Sequence, residues 1–152
     1  MSTLELFLAD ETRTMALGAA LAGVVKPGDV IALRGGLGAG KTTLARGFMR
    51  ALCGPDTETP SPTYTLVQTY PTPAFLIWHF DLYRVETPSE LDELGWEDTQ
   101  DGVALVEWPD HAGRRLPDWR LDLTLDSFDA GRRAALEPRG EDWQARLDGF
   151  RI

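Results

Sequence analysis

"ALRGGLGAGKTTLARGF", residues 32 to 48, decides the fold. Gly35, Gly40, Lys41 and Thr42 satisfy the pattern G-x-x-x-x-G-K-[ST]. A hydrophobic run, Val30 to Leu33, comes before it, and a segment with Leu44, Phe48 and Leu52 on one helical face comes after it. The spacing predicts a buried strand, a phosphate loop and a helix that Gly54 stops. In such a loop the backbone N–H groups of residues 37 to 40 turn inward at a helix N-terminus, where anions are stabilised. Lys41 is placed to reach the β- and γ-phosphate oxygens, the Thr42 hydroxyl to hold Mg²⁺, and Thr43 to reach the α-phosphate. The lysine is telling. Of 15 cationic residues only Lys26 and Lys41 are lysines, and a compact ammonium at phosphates is poorly replaced by arginine's planar fork.

Working outward, proline and glycine punctuate the chain into further elements. "LELFL" (4–8) alternates like a strand, and residues 10–25 carry Leu17, Leu21 and Val24 at helical spacing behind Asp10, a suitable N-cap. "PDTETPSPT" (55–63) reads as a loop. "YTLVQTY" (64–70) and "AFLIWHFDLY" (74–83) are β-rich and predict an antiparallel hairpin. "TPSELDELGW" has Thr87, Pro88 and Glu90 in a capping-box arrangement for a short acidic helix. "GVALVEW" (102–108) reads as a buried strand, "WRLDLTLDSF" and "RRAALEP" as a strand pair, and "EDWQARLDGF" as a final helix. Together these predict one domain over residues 1–152. It is α/β, a P-loop NTPase-like layered domain with a central mixed sheet, antiparallel strands added and helices on both faces.

Phosphoryl chemistry also needs an acid to support the metal and a group to place the nucleophile. Glu107 closes the strand "VALVE", and Asp81 closes "FLIWHFD". Thr63, in "SPTYT" (61–65), stands where a threonine that senses the γ-phosphate would be. Guanine is usually read by an N-K-x-D element, and this chain has no asparagine, so ATP is the expected nucleotide. Arg132 and Arg133 either meet phosphate charge or are solvated on a turn. His79 and His111 lack metal-ligand spacing and read as core or surface histidines. The acidic residues around 90 to 98 read as a solvated helix face, and Cys53 as a packing residue.

Composition narrows the partners. With 15 cations against 24 anions the net charge is −9, which disfavours unaided binding to a nucleic-acid backbone. No apolar run approaches the roughly 20 residues that span a bilayer. The first residues, "MSTLELFLADETRT", are acidic where an export signal is cationic, and the single Cys53 leaves no internal disulfide. A cytoplasmic protein is expected.

In combination and in order, "LGAGKTTLARGF", "SPTYTLV", "HFDLYR", "ELGWED", "LVEWPD" and a late "GR" make the chain resemble the bacterial TsaE family. These are ATPases of the pathway that makes threonylcarbamoyladenosine in tRNA. The resemblance implies ATP and Mg²⁺ as cofactors, with Leu37, Gly38, Ala39, Gly40, Lys41, Thr42 and Thr43 around the phosphates. It implies Thr42, Glu107 and Asp81 at the metal, and Asp81, Glu107, Thr63 and Lys41 in catalysis. Glu11, Trp108 and Arg132 are implied as further nucleotide contacts. It also implies docking on a transferase heterodimer of TsaB and TsaD type, with tRNA reached only through that complex. One departure is Gly36, where the family usually carries an acid. A small-molecule kinase shares the loop but needs an acceptor pocket and an arginine-bearing lid, for which only "HAGRRLP" (111–117) is available. A GTP-dependent switch or a binding-only module is the third class compatible with the loop.

Overall fold

The computed structural model describes residues 2–152. Seven strands form one sheet in the order β1-β7-β6-β2-β5-β4-β3: β1 Leu4–Leu8, β2 Val30–Arg34, β3 Val67–Pro71, β4 Leu76–Asp81, β5 Val103–Glu107, β6 Arg120–Phe128 and β7 Gly131–Arg139. The joints β6–β2, β2–β5 and β5–β4 are parallel, whereas β1–β7, β7–β6 and β4–β3 are antiparallel. This is the expected mixed α/β layered sheet.

Strand direction decides where function can gather. β2, β4, β5 and β6 run the same way, and β1 follows them because it pairs antiparallel with β7, itself antiparallel to β6. Their carboxyl ends therefore share one edge, the edge at which open α/β sheets bind ligands. That edge receives the loop after β1, the glycine loop after β2, the ends of β4 and β5, the β6–β7 turn and the approach to β3.

Side chains alternate across the sheet as strand geometry requires. Ile31, Leu33, Ile77, Val103 and Leu105 point to a core shared with Leu17, Leu21, Leu44 and Phe48 of α1 (Glu11–Ala22) and α2 (Lys41–Cys53), and with Trp143 of α3 (Glu141–Leu147). Phe80, Ala104 and Val106 point to the opposite face, covered by Leu91, Trp96 and Ala112. The cover there is three 3-10 helices, Pro88–Leu94, Trp96–Asp101 and Pro109–Arg115. Helices do lie on both faces, but the second layer is 3-10 rather than α. The predicted capping box forms, with Glu90 accepting from the Glu86 and Thr87 amides at 2.7 and 2.8 Å. Asp10 caps α1 as expected, accepting from the Arg13 amide at 3.0 Å.

One boundary moves. The strand expected from Tyr64 begins at Val67, because Leu66 adopts a left-handed φ of 70° and its amide donates back to the Pro62 carbonyl at 2.7 Å. Residues 62–65 form a turn and Leu66 a bend instead, which keeps Thr63 at the carboxyl edge of the sheet.

Helices α1 and α2 cross at two glycines. A Cβ on Gly18 would stand 2.2 Å from the Leu44 carbonyl oxygen, and one on Gly47 would stand 2.1 Å from that of Met15. This close crossing brings the first turn of α1 beside the glycine loop. Replacing Gly47 by Ala is expected to lower stability by about 1–2 kcal/mol, since overpacking outweighs the gain in helix propensity. Urea unfolding measures it, and an unchanged midpoint would show that the crossing tolerates a methyl group.

Candidate active site

The register of the parallel strands builds the site. Glu107 pairs with Leu33 on one side and with Asp81 on the other, so the two carboxylates end adjacent strands at the level where β2 becomes the glycine loop. Both are about 5% exposed. Being separated by an even number of residues from Leu105 and Ile77, they point to the face that α1 and α2 cover.

The loop itself follows the sequence expectation. Gly35, Gly38 and Gly40 have φ of 141°, 78° and 108°, a region that glycine enters without the Cβ penalty. At Gly35 a Cβ would also strike the Leu125 carbonyl oxygen at 2.5 Å. A Cβ at Gly36 would meet nothing within 4 Å among the described residues, so the loop has room there for a side chain. Lys41 opens α2 and is 6% exposed. Its ammonium donates to the Gly35 carbonyl at 2.7 Å, lies 3.9 Å from Glu107 Oε1 and sits 4.4 Å above the centroid of the Trp108 ring. A buried charge held by a carbonyl, a carboxylate and an aromatic face is compensated on every side.

Trp108 reaches this position because it takes a left-handed φ of 57° immediately after β5, a conformation that costs a large residue on the order of 1–3 kcal/mol and clusters at functional sites. Tyr83 packs against the same ring at 5.0 Å between centroids, tilted by 53°. Asp81 is tied by the Thr63 hydroxyl, donating to Oδ2 at 3.3 Å, and by the Tyr83 amide, donating to Oδ1 at 3.0 Å. Ser61 and Thr63 share a hydroxyl hydrogen bond of 2.8 Å.

These groups line a cleft of about 510 Å³. Of the residues expected from sequence, Glu11, Leu37, Gly38, Gly40, Lys41, Thr42, Thr43, Thr63, Asp81, Glu107, Trp108 and Arg132 all line it. Ala39 does not, because its methyl group turns into the core. Arg132 was left between two roles by the sequence. Its guanidinium donates to the carbonyls of Ala39 and Gly38 at 3.1 and 3.0 Å, bracing the glycine loop from the start of β7, while the Arg133 guanidinium sits over the Phe128 ring instead. His79, read from the sequence as a core or surface histidine, is a core one, 2% exposed, and its Nε2 lies 2.7 Å from Glu107 Oε2, a contact the sequence reading did not anticipate. The signal was available: His79 precedes Asp81 by two in a strand, so it shares that residue's face.

A second cleft, about 400 Å³, lies on the other side of Lys41 and Trp108, between Arg34 and His111. Arg34 pairs with Asp110 and with Asp122, and Asp122 also accepts from Arg120 and Arg139 at 2.9 Å. Burial pushes the Asp122 carboxyl up, but the hydrogen bonds from Arg120 and Arg139 outweigh it, holding the group below the ordinary carboxylate range. The 3-10 segment at this cleft is fastened. His111 Nδ1 donates to the Leu82 carbonyl at 2.6 Å, and Arg115 grips Asp92 with two nitrogens at 3.1 and 2.9 Å. These contacts hold the segment at its third and last residues.

The donor set suits a hard divalent cation shared with phosphates. Thr42, Asp81 and Glu107 offer oxygen only, and magnesium is usually held by one or two carboxylates together with substrate phosphates and water. Among the described residues no three His, Cys, Asp or Glu side chains converge as an all-protein metal cage. Among them too, no helix is long and apolar enough to cross a membrane.

A sheet with a glycine loop at its carboxyl edge, a lysine opening the next helix and acids closing neighbouring strands defines a P-loop NTPase-like domain. The family model described as "Threonylcarbamoyl adenosine biosynthesis protein TsaE" matches residues 8–135. The tRNA threonylcarbamoyladenosine biosynthesis protein TsaE of Rickettsia felis is 40% identical over 84% of this chain and 75% of that protein. The protein of the same name from Haemophilus influenzae is 34% identical over 90% of each. The crystal structure of Bacillus subtilis YdiB superposes with a TM-score of 0.82 at 28% identity, over 98% of this chain and 94% of that one. The chain belongs to the TsaE family, and so to tRNA threonylcarbamoyladenosine biosynthesis.

If Arg132 braces the loop, Arg132→Ala removes two hydrogen bonds from a charged donor, each worth about 1.5–3 kcal/mol. Amide hydrogen exchange at Ala39, whose N–H donates to the Gly36 carbonyl at 3.2 Å, should then quicken by at least about tenfold while α2 beyond its first turn is unaffected. Unchanged exchange would mean that the loop holds its shape without the arginine.

Proposed function

We propose that the chain is the ATP-hydrolysing subunit required for threonylcarbamoyladenosine formation in tRNA, and that it acts by docking on a transferase heterodimer of TsaB and TsaD type. The observation that carries the reading is the meeting, in one cleft, of the glycine loop, the buried Lys41 and the strand-end carboxylates Asp81 and Glu107. An ATPase needs these parts and little else.

In this reading the amides of residues 37–40 and the Lys41 ammonium take the β- and γ-phosphate oxygens, exchanging the lysine's contact with Gly35 for one with the nucleotide. Thr43 faces the α-phosphate, and Glu11, Trp108 and Arg132 border the rest of the nucleotide. Thr42 and Glu107, with Asp81 near them, would hold Mg²⁺, which when bound neutralises charge on the phosphate oxygens. Asp81, held between the Thr63 hydroxyl and the Tyr83 amide, is the carboxylate best placed to orient water. Thr63 lies in a turn rather than a strand and couples the state of the phosphate to the 61–66 segment.

The charge of −9 supports a division of labour in which the partners grip tRNA and this chain supplies hydrolysis. Hydrolysis by the chain alone should accordingly be slow, and ATP should be preferred to GTP.

The test is a reconstituted tRNA reaction with both transferase subunits and a supplied threonylcarbamoyl donor. Lys41→Ala and Glu107→Ala should each lose repeated turnover by at least about 100-fold, the scale on which a preorganised electrostatic contact acts. Unchanged turnover with either variant would contradict the proposal, as would transfer of the γ-phosphate to a small alcohol without partners.

A further inference from the structure

Glu107 is a side chain with a soft final torsion, since the carboxylate rotation of glutamate has broad, roughly two-fold preferences. Left to itself, such a group presents either oxygen to a neighbour. Here it is tethered. Oε2 lies 2.7 Å from His79 Nε2, and Oε1 faces Lys41 at 3.9 Å. His79 stands on β4, opposite Leu105 in the register and on the same face as Glu107 two residues further along β5, so the contact is built into the sheet. The imidazole is 2% exposed, and its buried Nδ1 has no hydrogen-bond partner among the described residues.

That pattern constrains the proton. An ionised carboxylate only accepts, so Nε2 must donate. Among the described residues Nδ1 has no hydrogen-bond partner, so a proton there would be a buried donor left unpaired, the costlier arrangement. The tautomer with hydrogen on Nε2 satisfies the one strong contact available.

We propose that His79 is a positioning residue that holds one oxygen of Glu107 from behind and so leaves the other aimed at Lys41 and the metal–phosphate site. The inference rests on the proposed role of Glu107 at the metal. Histidine ordinarily ligates a metal while a carboxylate orients it; here the order is reversed, with imidazole orienting the carboxylate. Partners of this kind tune metal affinity without touching substrate. A merely structural histidine would fill the same space and leave metal affinity alone.

Two measurements on the full chain test this. The first is the affinity of a non-hydrolysable ATP analogue, by calorimetry with and without Mg²⁺, for the wild type, His79→Leu and His79→Gln. The leucine keeps the bulk and loses the donor, whereas the glutamine amide can donate from nearly the same place as Nε2. His79→Leu should weaken the magnesium-dependent part of binding about 10- to 100-fold, leave magnesium-free binding unchanged, and be largely rescued by glutamine. Full retention of magnesium dependence in His79→Leu would overturn the inference alone. No magnesium effect in the wild type would overturn the metal role of Glu107 and the inference with it. The second measurement needs no variant and so survives a leucine chain that fails to fold: ¹⁵N NMR of the His79 ring in the wild-type protein. A proton on Nε2 supports the tether, and a bare Nε2 overturns it.

Discussion

The register that pairs Leu33 with Glu107 and Glu107 with Asp81 is the constraint on which the rest depends. It brings the glycine loop and two carboxylates to one level at one edge of the sheet. A slip of one residue in β5 would turn Glu107 to the opposite face and replace it with an apolar side chain, because the side-chain period of a strand is two. The pattern of the strands guards against that slip. Val103 and Leu105 fill the core under α1 and α2, while Ala104 and Val106 fill the core under the 3-10 helices, so either face would lose its complement. The geometry of the cleft is thus held by hydrophobic packing that lies well below it.

Charge is handled with equal economy. Lys41, Asp81, Glu107 and His79 are all nearly excluded from solvent, where an unpaired charge is costly. Each is answered by a neighbour: the lysine by Gly35, Glu107 and Trp108, the glutamate by His79 and Lys41, the aspartate by Thr63 and the Tyr83 amide. Several of these contacts are also the ones that phosphate and metal would draw upon. The charged side chains are therefore held in place while the cleft stays open, an arrangement that would serve electrostatic stabilisation in the proposed ATPase.

How much of this was legible in the sequence follows from the range of each interaction. The glycine loop, the caps at Asp10 and Thr87 and the strand-end acids are local patterns, and they stand where spacing placed them. The turn at Leu66 was not legible, since β-rich composition runs through residues 64–66 and only the backbone bond to Pro62 ends the strand's reach. Gly18 and Gly47 read as ordinary helix residues until the crossing of α1 and α2 shows why they lack side chains. Arg132 is 93 residues from the Ala39 carbonyl it holds, and such a contact exists only after β6 and β7 have paired. His79 lay between these cases. Its face was predictable from alternation, but its partner on β5 required the register.

In the proposed function the triphosphate occupies the cleft lined by Lys41, Thr42, Asp81 and Glu107 at the carboxyl edge of the sheet, and not the cleft between Arg34 and His111. The most direct measurement is a crystal structure of the chain with magnesium and a non-hydrolysable ATP analogue. The account predicts phosphates ringed by the amides of residues 37–42 and a metal on the Thr42 hydroxyl, on the Glu107 side. A nucleotide seated instead between Arg34 and His111, or phosphates away from Lys41, would contradict it.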